Sequence, residues 1–332
     1  MKAIILKEFG EADVLKFNDA PEPSLRPDDL LVKIHAAGVN RADIIQRKGG
    51  AGKATYGDSD LMGLEIAGVI TAVGTHTKGF KIGDRVMGIV GGGGYAELAR
   101  INYKMAIPIP EGIDFIQAAA IPEVFVTAHE ALFHLGRLQS GNSVLIHAAA
   151  SGVGTAAVQL AHLAGAKVFV TTRAEKLGTV LTLGANVGID YRSQDFAEVV
   201  MQETRDLGVD VIVDFIGAPY FEKNLRSLSA GGRLVQVGLL GGSKASIPLD
   251  RVLYQHLQII GTVMKSRTLE EKQAMVSRFR DQWLSYFKQG KLKPVVDKVF
   301  PLEKAADAHR YMESASNIGK IVLAVGLPIF GT

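Results

Sequence analysis

The stretch from Val144 to Ala164, VLIHAAASGVGTAAVQLAHLA, gathers residue types that can hold a phosphate. Val144, Leu145 and Ile146 form a short apolar run suited to a strand buried on both faces of a parallel sheet. Small residues break the run, and after Gly152 the positions Val153, Ala156, Ala157, Leu160, Ala161 and Ala164 fall on one helix face. N–H groups at a helix N-terminus are unpaired and lie at the positive end of its dipole. A pyrophosphate at Ser151, Gly152 and Val153 would therefore find donors and a favourable field. Ala149 and Ser151 stand where the fingerprint G-x-G-x-x-G puts its first two glycines, so the motif is imperfect. Its reading as a dinucleotide turn, rather than an ordinary tight connection, rests on the strand before it and the helix after it.

In a dinucleotide fold the end of the second strand chooses between NAD and NADP, because an acidic residue there binds the ribose 2′-hydroxyl and repels a 2′-phosphate. Here that strand ends Val170-Thr171-Thr172-Arg173 with no acid at its tip, Lys176 follows, and Tyr191 closes the next strand. Arg173 and Lys176 supplying charge, with Thr172 and Tyr191 supplying hydroxyls, read as a 2′-phosphate pocket, which makes NADPH the expected cofactor. Solvated charges opening a helix are the alternative, and Glu175 in their midst speaks for it.

Other chemistries fall away by residue type. His129 and His134, in HEALFH, are five positions apart, about 140° around an α-helix, and cannot share one metal. His147 lies in an apolar strand and His162 on the helix after the turn, positions of packed or surface histidines rather than ligands. The absence of cysteine removes disulfides, thiolate nucleophiles and sulfur-ligated zinc. None of the eight tyrosines has lysine four places on, as a Tyr-x-x-x-Lys reductase would require. No metal site is expected.

These residues need a scaffold, and 332 residues suit two domains with a sizeable core. The net charge of +3 is small, and basic and acidic residues are interspersed, so nucleic-acid binding is not indicated. No apolar run reaches the roughly eighteen residues of a membrane span, and Met1 to Gly10 lacks the form of a secretory leader; a soluble, cytoplasmic protein is expected.

Up to about Pro122 apolar and polar residues alternate in short runs, Lys2 to Lys7, Leu30 to Ile34, Leu64 to Val73 and Asp84 to Val90, which read as antiparallel strands of a small barrel or sandwich. Gly91 to Gly94 read equally as a flexible hairpin or as a place where no side chain obstructs a ligand. From about Glu123 strands alternate with helices at VLIHA, KVFVTT, NVGID, DVIVDFIG, GRLVQVGLL and QIIGTVM, giving an α/β doubly wound sheet of six parallel strands. The tail, with a long amphipathic helix around Thr268 to Gln289, KPVVDKVFPL, a second helix from Glu303 to about Ser316 and the strand KIVLAV, is assigned to the first domain. The expected division is thus 1–122, 123–264 and a return over 265–332.

The pieces AAGVNRADIIQRKG, GLEIAGVITAVG, KIGDRV, GGGGYAE, AAAIPEVFVTAHEAL, LIHAAASGVGTAAVQLA, DFIG and NIGKIVL cover the whole chain. Together they resemble the zinc-independent quinone oxidoreductases, the zeta-crystallin-like group of the medium-chain dehydrogenase/reductase superfamily. AAAIPEVFVTAH resembles in particular its stress-inducible NADPH quinone reductases. The resemblance implies a GroES-like, mostly antiparallel catalytic domain beside the Rossmann sheet. Where zinc alcohol dehydrogenases read Gly-His-Glu, with the histidine a ligand, this chain has Gly63-Leu64-Glu65. It further implies that Asn40 faces nicotinamide and substrate and that Thr127 lies near the nicotinamide ribose. Ser151 to Val153 would hold the pyrophosphate, and Ile216, Gly217, Gly238, Leu239, Leu240 and Asn317 would line the remaining nicotinamide side. Asn40 also fits a helix N-cap before RADIIQRKG. Relatives carry a tyrosine soon after that helix; here Gly50-Ala51 stand there, and the nearest tyrosine, Tyr56, is the catalytic candidate beside Asn40.

The function expected is hydride transfer from NADPH to a quinone, with proximity and orientation across a domain cleft supplying most of the rate gain. Hydride addition to a quinone gives a delocalised phenolate, whereas a ketone gives an alkoxide that a metal or acid must stabilise. Reduction of an activated C=C bond in an alkenal or enone is the alternative reaction. A sensor or structural protein that binds NADPH without turnover is the alternative of another class. The strand Gln258 to Met264 carries no charge and no proline, and as the last strand of its sheet is expected to pair with its mate in a homodimer.

Overall fold

A computed structural model of the chain describes residues 1–50 and 59–326. The early alternating runs form strands β1 (Lys2–Leu6), β2 (Leu15–Asp19), β3 (Asp29–Val39), β4 (Glu65–Val73), β5 (Arg85–Ile89), β6 (Leu98–Asn102) and β7 (Ala106–Pro108). Helices α1 (Arg41–Arg47), α2 (Phe115–Ala118) and α3 (Pro122–His129) accompany them. The alternating region then gives β8 (Ser143–Ile146), α4 (Gly152–Leu163), β9 (Lys167–Thr172), α5 (Ala174–Thr182), β10 (Val187–Asp190), α6 (Phe196–Glu203) and β11 (Val209–Asp214). It continues through α7 (Phe221–Ser227), β12 (Leu228–Gln236), α8 (Leu249–Tyr254) and β13 (Gln258–Gly261), and the chain ends with α9 (Leu269–Lys288), β14 (Val296–Pro301), α10 (Ala305–Glu313) and β15 (Lys320–Ala324).

Two compact units result, Met1–Val126 with Thr268–Thr332, and Thr127–Arg267. In the second, six parallel strands lie in the order β10-β9-β8-β11-β12-β13. The apolar runs are buried from both sides, with Leu145, Phe169, Ile189, Ile212 and Leu234 of the sheet meeting Phe196, Val200 and Leu225 of the helices. Neighbours β9 and β11 of β8 lead the chain in opposite directions across the sheet. Open α/β sheets bind ligands at the carboxyl end of the strands beside such a reversal. The turn at Ser151 follows β8 at that end.

In the first unit β14, β15, β3, β4, β5 and β7 form one path, with β6 also pairing β3, and β1 and β2 form a separate hairpin. The tail thus supplies two strands, β15 running antiparallel to β3 with Ile321 opposite Val39. That register brings Lys320 beside Asn40, the residue after β3. Long helix α9 is started by Thr268, whose hydroxyl accepts from the Glu271 N–H while the Glu271 carboxylate accepts from the Thr268 N–H. It buries Met275, Val276, Phe279, Trp283 and Phe287, and Phe287 meets Phe125 edge-on with ring centroids 4.9 Å apart.

Gly91 to Gly94 serve close approach of the backbone: the N–H groups of Gly93 and Gly94 donate to the carbonyls of Leu61 and Gly63, and a Cβ on Gly92 would lie 2.7 Å from the Ser59 carbonyl oxygen. The HEALFH segment is π-helical from Glu130 to Leu135, so the 100° step of an α-helix does not apply to the spacing of His129 and His134. Among the described residues no helix is long and apolar enough to cross a membrane.

Candidate active site

Ser151 is the N-cap of α4, and its hydroxyl accepts from the Gly154 N–H at 3.1 Å. The N–H groups of Gly152 and Val153 lie in the first turn, where a helix offers no acceptor of its own. Ala148 turns the chain into the left-handed region at φ 48°, and a Cβ on Gly154 would come 2.5 Å from the Ala148 carbonyl oxygen. A cradle of small residues is therefore required by the backbone, whatever it holds. Its donors and dipole fit a pyrophosphate.

The loops after β11 and β12 are zipped together. Gly241 N–H donates to the Ile216 carbonyl at 2.7 Å, Leu240 to Phe215 at 3.0 Å and Ala218 to Gly242 at 3.0 Å. Gly217 has φ 86° and ψ −131°, and a Cβ there would stand 2.5 Å from the Gly242 carbonyl oxygen, so no other residue fits. Ile216, Gly217, Gly238, Leu239 and Leu240 thus share one place, with Leu239 and Leu240 exposed. At the end of β9, Thr172 is buried, and Arg173 is the N-cap of α5 with Nε 3.4 Å from the Tyr191 hydroxyl. That bond raises the guanidinium pKa further. Lys176, one turn into α5, is buried at 8% exposure, so of the two expected cations Arg173 is the accessible one. Thr127 is half-buried on α3.

In the first unit, Asn40 is the N-cap of α1, and its N–H donates to Asp43 Oδ2 at 2.8 Å. Its side chain is turned to other partners: Oδ1 accepts from Lys320 Nζ at 2.6 Å, and Nδ2 donates to Glu65 Oε2 at 3.2 Å and to the Gly38 carbonyl at 3.3 Å. Lys320 Nζ also donates to Glu65 Oε2 at 2.8 Å and to the Val39 carbonyl at 2.9 Å. The other Glu65 oxygen accepts from the Glu123 N–H at 2.8 Å. Burial first, then the charge of Glu65, pushes the Glu123 carboxyl up to about 8, which makes it a neutral acid at pH 7. Asn317 precedes Lys320 by three residues, and its amide donates to the Gly319 carbonyl at 2.8 Å. Behind the cluster, Tyr95 donates to Asp43 Oδ2 at 2.9 Å and lies 3.2 Å from His309 Nε2. Burial holds Asp43 at about 7 and His309 at about 3.

Tyr56 and Ala51 lie outside the described residues. Glu65, Glu123 and Lys320 carry the polar centre of the first unit, yet the sequence reading passes over them as site residues. The signal was a charge at the mouth of an apolar run: Glu65 opens EIAGVI and Lys320 opens KIVLAV. Such a charge needs a partner once buried.

Residues 183–323 match the family described as zinc-binding dehydrogenase, and residues 26–111 match the alcohol dehydrogenase GroES-like domain. The quinone oxidoreductase of Rattus norvegicus is 36% identical over 331 residues, covering 97% of each chain. That of Homo sapiens is 35% identical over 331 residues, again covering 97% of each. Among solved structures, an NAD-dependent alcohol dehydrogenase superposes with a TM-score of 0.87 at 33% identity, over 98% of this chain and 100% of that one. CurK enoyl reductase does so at 0.87 and 29%, over 98% and 99%. The Escherichia coli quinone oxidoreductase complexed with NADPH does so at 0.88 and 27%, over 98% and 100%. The chain therefore belongs to the quinone oxidoreductases of the medium-chain dehydrogenase/reductase superfamily and is an NAD(P)-dependent oxidoreductase.

Proposed function

We propose that the chain is an NADPH:quinone oxidoreductase that needs no metal ion. The observation that carries this reading is the second unit's carboxyl edge, where the Ser151 turn, the β9 tip and the two zipped loops stand at strand ends flanking one reversal of strand order. When bound, the nicotinamide cofactor supplies the hydride. Ser151, Gly152 and Val153 hold its pyrophosphate, and Arg173 with Thr172, Lys176 and Tyr191 takes the 2′-phosphate. Thr127, Ile216, Gly217, Gly238, Leu239 and Leu240 line the nicotinamide side, with Asn40 and Asn317 assigned to it from the first unit and Tyr56 the remaining catalytic candidate.

Two features support work without a metal. Leu64 replaces the ligand that zinc-dependent relatives carry, and the positive charge beside Glu65 is the Lys320 ammonium. A quinone suits such a site because its reduced form spreads negative charge over the ring and can take its proton late. Reduction of an activated C=C bond is the second reading, favoured by the likeness to an enoyl reductase. We assign the quaternary form as a homodimer paired along β13.

Oxidation of NADPH followed with benzoquinones, naphthoquinones and short enones tests the reading, before and after dialysis against a chelator. Quinone turnover unchanged by chelation is expected. Turnover of enones alone overturns the quinone assignment, and loss of activity on chelation overturns the metal-free one.

A further inference from the structure

Beneath the carboxyl edge of the second unit runs a buried polar chain that none of the expected contacts uses. His147, the residue after β8, is fully buried between the rings of Phe196 and Tyr220, with centroids 4.7 and 4.8 Å from its own. Its Nδ1 lies 2.8 Å from Thr171 Oγ1 and its Nε2 2.7 Å from Asn224 Oδ1. Asn224 Nδ2 donates to Asp214 Oδ2 at 3.0 Å. Asp214 in turn accepts from the Ile216 N–H at 2.6 Å and the Gly217 N–H at 3.1 Å.

The direction of every link follows from its neighbour. The amide of Asn224 faces a carboxylate, so its oxygen faces the imidazole. His147 Nε2 must then carry the hydrogen, and Nδ1 accepts from the Thr171 hydroxyl. Burial, opposed by Asp214, keeps the ring's pKa below the usual histidine value, so the ring is neutral. Cutting the chain leaves buried polar groups unpaired at both sides of the cut.

We propose that His147 is a positioning residue which, through Asn224 and Asp214, sets the Ile216–Gly217 loop from the end of β9 and so couples the two halves of the dinucleotide site. The inference rests on reading this unit as the cofactor unit. Thr171 adjoins Thr172 and Arg173 on the adenosine side, and His147 opens the AAASG turn. Gly217 lies on the nicotinamide side. One chain of hydrogen bonds therefore spans three strand ends, β9, β8 and β11.

The test compares NADPH with 2′,5′-ADP, which fills only the adenosine side. Asn224→Leu and Asn224→Asp both remove the amide donor to Asp214 without changing a residue of the pyrophosphate turn. Each is expected to weaken NADPH binding about tenfold or more, leave 2′,5′-ADP within about twofold, and speed hydrogen exchange at the Gly217 amide. Equal weakening of both ligands, or of neither, overturns the proposal. Wild-type protein that binds neither ligand overturns the cofactor reading as well, which separates the two failures. Should the Asn224 variants not fold, nitrogen-15 NMR of wild-type His147 decides. A neutral ring protonated at Nε2 supports the chain, and an Nδ1–H tautomer or an imidazolium at pH 7 refutes it.

Discussion

Lys320 Nζ stands 2.8 Å from Glu65 Oε2 although 255 residues separate the two, and the pair is almost wholly buried. The relationship comes from the register that lays β15 against β3, because Lys320 then opens its strand beside the N-cap of α1. Removing one partner leaves a buried charge uncompensated. Lys320→Met is therefore expected to cost about 3–5 kcal/mol. The double variant Lys320→Met with Glu65→Leu should be clearly less destabilised than that single change, since it strands no charge. Melting of the purified full chains checks both, and equal destabilisation of single and double variants would rule the account out.

Gly38 has no room for a side chain. A Cβ there would overlap the Glu65 carboxylate and come 2.5 Å from the Ala119 carbonyl oxygen. Gly38→Ala should push the carboxylate off Lys320 and Asn40, lowering stability by about 1–3 kcal/mol through overpacking and lost pairing. A variant that melts with the wild type would show that the cluster tolerates displacement.

Much of this was legible in the residues because periodicity reports burial directly. Runs such as VLIHA and KVFVTT are apolar throughout since both faces of β8 and β9 are covered, and the small residues of AAASGVG could serve only a tight strand-to-helix turn. What stayed hidden is pairing across the chain. Nothing near Glu65 names Lys320 as its partner, and nothing near His147 names Asn224, because the strand registers that join the first pair and the packing of α7 that joins the second are fixed by long-range contacts. The π-helical turn after His129 was equally invisible, as it shares its composition with an ordinary helix. The tip of β9 showed its chemistry but not its exposure: Lys176 and Arg173 look equivalent in sequence, and only the fold buries one.

Cofactor choice should then follow Arg173. Its guanidinium sits at the start of α5 beside the Tyr191 hydroxyl, placed to take a phosphate by charge-assisted bonds worth about 1.5–3 kcal/mol. Arg173→Ala is expected to weaken NADPH by one to two orders of magnitude and NADH by about threefold or less. Added salt should erode the wild-type preference. Titration of both dinucleotides against wild type and variant reads this out, and an equal loss for the two would place Arg173 away from the 2′-phosphate.

Stability should fall as pH rises above neutrality. The Glu123 carboxyl is pushed up to about 8 and that of Asp43 to about 7, both mainly by burial, whereas the unfolded chain releases these protons at ordinary carboxylate values. Between those limits the folded state holds more protons than the unfolded one, so each unit of pH costs stability until the folded groups ionise. His309, held at about 3, acts in the opposite sense, as do His35 and His147, which burial also lowers, and their effect fades as pH rises past the ordinary histidine value. Towards pH 8 the acids dominate. Glu123→Gln should recover about 1 kcal/mol of the decline, or about 2–4 °C in melting temperature. Parallel melting curves for wild type and variant from neutrality to about pH 8 would show that Glu123 is already ionised.

The edge of the cofactor sheet gives the last expectation. β13 pairs only with β12 among the described residues, and Ile259 on it is 41% exposed, with Val263 beyond it at 55%. Leu249, Leu253 and Tyr254 of α8, just before it in the chain, are more exposed still. Unpaired backbone groups on an uncharged strand are an unstable way to end a sheet in water, and the sequence supplies neither proline nor charge to blunt it. Pairing with a second copy about a twofold axis satisfies both rows of N–H and C=O groups at once. A lysine at position 260 would sit within that seam. Ile260→Lys is expected to sediment as a monomer at micromolar concentration while wild type sediments as a dimer, with the melting temperature falling as protein is diluted only in the wild type. A wild-type monomer under those conditions removes the dimer, and a dimeric Ile260→Lys moves its interface elsewhere.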